Sequence, residues 1–341
     1  MRVDLRSDTV TVPTEKMRKA MYEAEVGDDV FGEDPTINRL QEMAADICGR
    51  EAALFVPSGT MANQICVRVQ APRGSEVILE EESHIFLHEV GGLAALAQVQ
   101  TRLVKGVRGI LQPQDIAPLF RPPGDIHAPK TSLMCIEQTS MMAGGTIYPL
   151  ETIKEISRLA HEKGARVHMD GARLFNAVVA SGIPARDFAA PVDSLMFCLS
   201  KGLCCPVGSM VVGNNDFIEE ARVARKLYGG GMRQAGILAA CGIVALTEMI
   251  DRLEEDHEKA KIIARAIEGS HLVKPDWNRP ETNIIIFSLR EPKAGELVKK
   301  LADRGVLCLD LDDYRIRMVT HKDVSFEGAR YASEVLGELL Q

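Results

Sequence analysis

Two apolar runs, each ending on a charged residue and a glycine, constrain the fold of this chain most. Ser194-Leu195-Met196-Phe197-Cys198-Leu199-Ser200 ends on Lys201-Gly202. One crossover earlier, Ala165-Arg166-Val167-His168-Met169 ends on Asp170-Gly171-Ala172-Arg173. Short apolar runs bounded by turn residues and separated by helical patterns read as parallel strands of βαβ units. Parallel strands all end at one edge of their sheet, so Lys201 and Asp170 are put on the same rim. That rim is where open α/β sheets bind ligands.

The same rhythm extends along the chain. Val77-Ile78-Leu79 reads as a strand, Ser132-Leu133-Met134-Cys135-Ile136 as another ending on Glu137, and Leu150 to Lys163 as an amphipathic helix stopped by Gly164. Met210-Val211-Val212-Gly213 is expected to return antiparallel. The prediction is an α/β protein, a mainly parallel sheet with helices on both faces. Before it lies an extended arm, residues 1–14, then a helix capped by Thr14, a glycine-punctuated loop from Gly27 to Asp34, and a helix from Thr36 to Cys48. A long helical stretch, 235–268, leads to strands predicted at 283–289, 306–311 and 315–319 and helices at 294–304 and 326–340. The expected division is an arm (1–14), a large domain (15–250) and a small C-terminal α+β domain (251–341) packed with the arm.

A formal net charge of -8 argues against nucleic acid or an anionic membrane as the main partner. The partner expected is a small molecule held in a local pocket. The eight cysteines form no C-x-x-C pair, and most sit in apolar runs, as reduced thiols of a cytosolic protein do. The first eight residues, Met1 to Asp8, have no apolar stretch of the signal-peptide kind, and the run from Ile237 to Leu246 is too short to span a bilayer. A cytoplasmic location is expected, with no membrane.

A lysine and an acid on one crevice rim suit pyridoxal phosphate. The amine forms a Schiff base with the cofactor, and the acid keeps the pyridine nitrogen protonated. The apolar neighbours of Lys201, Phe197 to Leu199 and Cys204-Cys205-Pro206, partly desolvate that amine. Arg173, three residues beyond Asp170, is placed for the cofactor ring oxygen or for a substrate carboxylate. Pro57-Ser58-Gly59-Thr60-Met61 joins an apolar run to a helical pattern; on its own it reads as an N-cap turn, and in company with Lys201 and Asp170 as a phosphate site. His84 is placed to stack on the cofactor or to serve as acid or base, while His88 reads more readily as a helix-cap residue. A rival reading makes His84 and His88 metal ligands at i, i+4 with His127 as third, and that leaves Lys201 unexplained. Gly229-Gly230-Gly231-Met232-Arg233 follows no strand, so Arg233 and Lys226 suggest further phosphate contacts, in this site or a neighbouring subunit's. Of Arg315 and Arg317, alternating on one strand, one is expected to face the crevice as a carboxylate clamp and the other solvent.

These segments, together with Asp4-Leu5-Arg6-Ser7-Asp8-Thr9-Val10-Thr11, Gly27-Asp28-Asp29-Val30, Gly32-Glu33-Asp34-Pro35-Thr36, Glu82-Ser83-His84-Ile85 and Val319-Thr320-His321, resemble the low-specificity L-threonine aldolases. Those enzymes have the aminotransferase-like, fold-type I pyridoxal phosphate fold, with a seven-stranded sheet. The resemblance covers nearly the whole chain. It implies retro-aldol cleavage of L-threonine, L-allo-threonine and other β-hydroxy-α-amino acids to glycine and an aldehyde. It also implies a homotetramer with active sites at the dimer interface. Residue by residue, Lys201 looks like the Schiff-base lysine, Asp170 the pyridine partner, Arg173 the contact to the ring oxygen and His84 the stacking histidine. Ser58, Gly59 and Thr60 look like phosphate ligands, with Lys226 and Arg233 near the phosphate of a partner subunit. Ser7 and Arg317 look like the substrate carboxylate site, and His127 like a second histidine near the β-hydroxyl; either His84 or His127 would be the base.

Two departures stand out. Gln138-Thr139-Ser140-Met141 occupies the place where the family commonly has asparagine, threonine, histidine, asparagine, and His88, on the substrate side, stands where relatives often carry an aromatic residue. The alternatives are another pyridoxal phosphate lyase or an aminotransferase acting on a small amino acid, a metal hydrolase built on His84 and His88, and a non-catalytic binding protein.

Overall fold

The computed structural model describes every residue except Pro123 and Asp276. The chain opens with a two-residue strand, β1 (Val3–Asp4). It then builds β2 (Ala52–Val56), β3 (Glu76–Glu80), β4 (Gln100–Val104), β5 (Thr131–Glu137), β6 (Arg166–Asp170), β7 (Ser194–Cys198) and β8 (Ser209–Gly213). These seven make one sheet in the order β2-β8-β7-β6-β5-β3-β4. Neighbours from β4 to β7 are parallel, and only β8 runs against both of its neighbours, as the sequence predicts. Strands β3, β5, β7 and β8 are buried along their whole length. That is why they read as unbroken apolar runs rather than alternating ones.

Strand β4 has no such run. It is the edge strand, half-exposed, and Arg102 on it pairs with buried Glu76 at 3.0 Å. A polar edge of this kind carries no apolar signal, and it blunts the open side of the sheet.

The C-terminal part adds β9 (Ile284–Ser288), β10 (Val306–Leu307), β11 (Leu309–Asp310) and β12 (Arg315–Val319). Strands β11, β12 and β9 form an antiparallel sheet. The single strand expected at 306–311 is broken at buried Cys308, because its halves have different partners: β10 pairs in parallel with β1, and β11 with β12. The arm is thus stitched to the C-terminal part, and Val319 N–H also donates to Leu5 O at 2.8 Å. The helix expected over 235–268 is likewise interrupted: Gly236–Val244, a π turn at Ala245–Met249, then Leu253–Ala264. Within the π turn, Thr247 Oγ1 donates to Ile243 O and Val244 O, a side-chain bond that competes with the helical ladder. All eight cysteines are buried and unpaired.

Candidate active site

Strands β5, β6 and β7 deliver Glu137, Asp170 and the Lys201 turn to one rim. Glu137 stands opposite Asp170, and Asp170 opposite Met196, in the parallel ladder. The Asp-Gly step is required here, since a Cβ on Gly171 would lie 2.6 Å from Met196 O. In the Lys201 turn the backbone is fixed by Thr11 Oγ1 and Cys204 N–H, both donating to Lys201 O. Among the described residues the Lys201 amine has no ion-pair partner, although its charge is felt at Asp8 and at His84.

Asp170 is buried, and its two oxygens are separately held. Oδ1 accepts Ala172 N–H at 3.0 Å and Oδ2 accepts Asn63 Nδ2 at 2.8 Å. Asn63 also donates to Glu89 Oε1 at 2.7 Å, and its Oδ1 lies 3.0 Å from His168 Nε2. His168 reaches Ser194 Oγ at 2.8 Å, and burial, against the opposing charge of Asp170, lowers its pKa to about 4, so the ring is neutral. His84 closes the cluster. Its backbone N–H is on Glu137 Oε2 at 2.9 Å, and its Nδ1 lies 3.1 Å from Glu89 Oε1. Burial alone lowers the His84 pKa, but the Glu89 bond and the charge of Asp170 outweigh it and raise it above the ordinary value. Burial, and then Asp170 beside it, pushes the Glu137 carboxyl up to about 7.

Three arginines approach this rim, and their partners separate them. Arg173 makes a two-pronged bond with Asp8 of the arm, Nε to Oδ2 at 2.8 Å and Nη2 to Oδ1 at 2.7 Å, both groups buried. Burial works to raise the Asp8 carboxyl, yet the Arg173 charge holds it down at about 2. Arg315 is taken by Asp312 at 2.6 Å and Glu82 at 2.7 Å. Among the described residues Arg317 has no acid: Nη1 lies 3.3 Å from Met141 Sδ, Nη2 lies 3.4 Å from Arg6 O, and Nε is buried without a hydrogen-bond partner. Burial and the neighbouring Arg173 lower its pKa, with Asp8 opposing them. Ser7, next in sequence to Arg6, turns its hydroxyl oxygen to Thr9 N–H and Thr9 Oγ1.

Ser58 is the N-cap of the helix Gly59–Gln70, and its Oγ accepts Met61 N–H at 3.2 Å. Gly59 and Thr60 follow as the first helical residues, and a Cβ on Gly59 would meet Cys198 Sγ at 2.9 Å. The glycine thus lets the helix start lie directly against the end of β7. The 229–231 loop lies over the same turn, since a Cβ on Gly230 would stand 2.3 Å from Met61 Sδ. Exposed Arg233 is drawn instead to Asp28 at 3.1 Å, and Lys226 is exposed on the helix Asn215–Leu227.

Two expected residues are not joined to this cluster within the chain. His127 is exposed in the loop between 120 and 130, its N–H on Asp125 Oδ1, and among the described residues its ring has no hydrogen-bond partner. His88 is exposed, its ring tilted 52° to that of His84 at 5.5 Å. The trio His84, His88 and His127 is therefore not assembled. Among the described residues the one close group of ligand-type atoms is His84, Glu89 and Asp170, within 4.8 Å, and each is already engaged in the hydrogen bonds given above. Asp8, Asn63, Glu89 and Glu137 were not read from the sequence as site residues. An asparagine and a glutamine side by side, Asn63-Gln64, inside an otherwise apolar helical pattern were the available signal for the buried network.

Comparison with known proteins shows the family to which the chain belongs. Residues 4–292 match the model of the beta-eliminating lyase family. The chain is 47% identical over 335 residues to a protein of Arabidopsis thaliana named probable low-specificity L-threonine aldolase 2, covering 96% of this chain and 94% of that one. The chain belongs to the low-specificity L-threonine aldolase family. The Escherichia coli (strain K12) low specificity L-threonine aldolase is 42% identical, with 95% of each chain covered. A solved structure of Leishmania major threonine aldolase, 20% identical, superposes with a TM-score of 0.85 over 99% of both chains, so the family fold is shared throughout.

Proposed function

We propose that the chain cleaves L-threonine, L-allo-threonine and related β-hydroxy-α-amino acids to glycine and an aldehyde, with pyridoxal 5'-phosphate as its cofactor. The observation that carries this reading is Arg317, a half-buried guanidinium that has no acid among the described residues, in a crevice where Arg173 and Arg315 are paired. It fits the carboxylate of an amino acid.

The donor set fits the cofactor. The helix start at Ser58, Gly59 and Thr60 offers amides to a phosphate, the fixed carboxylate of Asp170 offers itself to a pyridinium N–H, and the unpaired Lys201 amine suits an aldehyde carbon. His84 would lie against the ring and Arg173 at its phenolic oxygen. When bound, the cofactor supplies an electron sink for the bond that breaks at Cα.

The residues then divide the work. Arg317 and Ser7 hold the substrate carboxylate, which fixes which bond at Cα is presented for cleavage. His84 Nε2 takes the β-hydroxyl proton as the Cα–Cβ bond opens and the aldehyde departs. Asp170 would hold the pyridinium N–H of the bound cofactor, and a proton returned to Cα completes glycine. His127 is the second candidate for work at the β-hydroxyl.

The large part 15–250, the small part 251–341 and the arm 1–14 act as the units of this enzyme. A homotetramer with its sites at the dimer interface, located in the cytoplasm, belongs to the same reading, with Lys226, Arg233 and exposed His127 serving neighbouring subunits. Among the described residues no helix is long and apolar enough to cross a membrane.

The test is aldehyde release from L-threonine, L-allo-threonine and their D forms, with Lys201→Ala as control. Acetaldehyde from the L isomers, abolished in the variant, is the expected result. 2-Oxobutyrate and ammonia in place of aldehyde would sink the aldolase reading in favour of another lyase.

A further inference from the structure

Glu89 touches neither of the groups assigned above to cofactor or substrate contact except His84 and, through Asn63, Asp170. Its carboxylate is wholly shielded from solvent. Oε1 faces His84 Nδ1 at 3.1 Å and accepts Asn63 Nδ2 at 2.7 Å; Oε2 accepts Gln64 Nε2 at 2.7 Å. Two amides from the helix Gly59–Gln70 thus pin the carboxylate, and its remaining acceptor direction is aimed at one imidazole nitrogen. An acceptor there selects the ring form that carries its proton on Nδ1.

We propose that Glu89 is a positioning residue for the aldol cleavage: it holds the proton of His84 on Nδ1 and so reserves the Nε2 lone pair for the β-hydroxyl of the substrate. The inference rests on the aldolase reading. It gives the carboxylate two separable effects. Its geometry selects the tautomer and ring angle, and its charge raises the basicity of Nε2.

The other groups facing His84 do not replace it. Asp170 from β6 and Glu137 from β5 also favour the protonated ring, while Lys201 opposes it, as does burial; the pKa of the exposed His88 ring is itself lowered, by burial and then by the His84 charge. Arg317 in turn bears on His88. Of the acids among the described residues, Glu89 alone meets a His84 ring nitrogen within hydrogen-bond distance.

Glu89→Gln separates charge from geometry, because the site can absorb the amide. Gln64 Oε1 is buried and has no partner. If the Gln64 amide turns over, that oxygen accepts the new N–H, and the new carbonyl oxygen continues to face Asn63 and His84. Glu89→Ala removes both effects.

The experiment follows the imidazole of His84 in 15N-histidine-labelled holoenzyme, its signal identified by loss in His84→Asn, alongside the pH profile of kcat/KM for L-threonine. In Glu89→Gln the His84 midpoint is expected to fall by about one pH unit or more. A base with a lower pKa becomes available at lower pH, so the acidic limb of the profile moves down with it, while KM for L-threonine stays near the wild-type value. In Glu89→Ala the ring populates the other tautomer and kcat falls on the order of a hundredfold. A purely structural role would lower the yield of folded enzyme and leave midpoint and limb where they were. Aldehyde release by both variants with an unmoved His84 midpoint and limb would overturn the proposal. A moved midpoint in an enzyme that releases no aldehyde would overturn the aldolase reading and leave the Glu89–His84 coupling standing.

Discussion

Replacing Asp8 by asparagine tests whether the arm is part of the active site or a decoration on it. Asp8 is fully buried, accepts two bonds from Arg173 and a longer one, 3.3 Å, from Asn283 Nδ2 of the C-terminal part. Its carboxyl is held at about 2 against an ordinary 3.8. At about 1.36 kcal/mol per pH unit that difference is roughly 2.5 kcal/mol of stability. Since the folded value is the lower one, the contribution is complete above pH 3.8 and is lost as the pH falls towards 2. Asp8→Asn removes it at pH 7 and strands Arg173 beside Arg317. Breaking a buried pair from one side costs about 3–5 kcal/mol, and the retained amide oxygen puts this case near 3. The measurement is urea unfolding of cofactor-free wild type, Asp8→Asn, Arg173→Met and the double variant at pH 7. The double variant should recover about 2 kcal/mol relative to the sum of the singles. A loss below about 1 kcal/mol in Asp8→Asn, or strictly additive singles, would refute the claim that the arm acts through this pair.

Arg317→Ala should lower kcat/KM for L-threonine by about 10- to 150-fold, the value of a charge-assisted bond of about 1.5–3 kcal/mol, with cofactor affinity unchanged in a fluorescence titration; loss of the cofactor would refute the carboxylate role. Gly59→Ala introduces a Cβ 2.9 Å from Cys198 Sγ and 3.3 Å from Met196 Cε, so the helix start must move off β7. Its cofactor Kd should rise on the order of tenfold, read in the same titration, and an unchanged Kd would place the phosphate elsewhere.

The parts of this molecule legible in the sequence are those where burial leaves a one-residue signature. Strand β7 is nearly all apolar and β6 is buried beyond Arg166, because helices cover both faces of the sheet, and the chain after each announces Lys201 and Asp170. Strand β4 and the split 306–311 segment were not legible, because their pairing is decided by what lies beside them in space. The same holds within the site. Ser58, Asp170, His84 and Lys201 sit at element ends, where a polar residue interrupts a pattern. Asn63 and Glu89 do their work through three-dimensional contacts with β6 and with each other, and Asp8 lies 165 positions from Arg173.

Spacing also could not choose among the arginines. Arg173, Arg315 and Arg317 are equally suited by residue type to a carboxylate, and alternation on β12 says only that Arg315 and Arg317 share the face opposite buried Ile316 and Met318. Partners make the choice. An arginine already bound to Asp8, or to Asp312 and Glu82, would have to break an ion pair before meeting a substrate, whereas Arg317 has no acid among the described residues to give up. Arg173, kept neutral as a pair by Asp8, can still present its guanidinium edge to a cofactor oxygen without adding net charge. The arm therefore does more than cover the crevice. By supplying Asp8 it pairs Arg173, as Asp312 and Glu82 pair Arg315, and on the proposed reading that leaves Arg317 to take the substrate carboxylate.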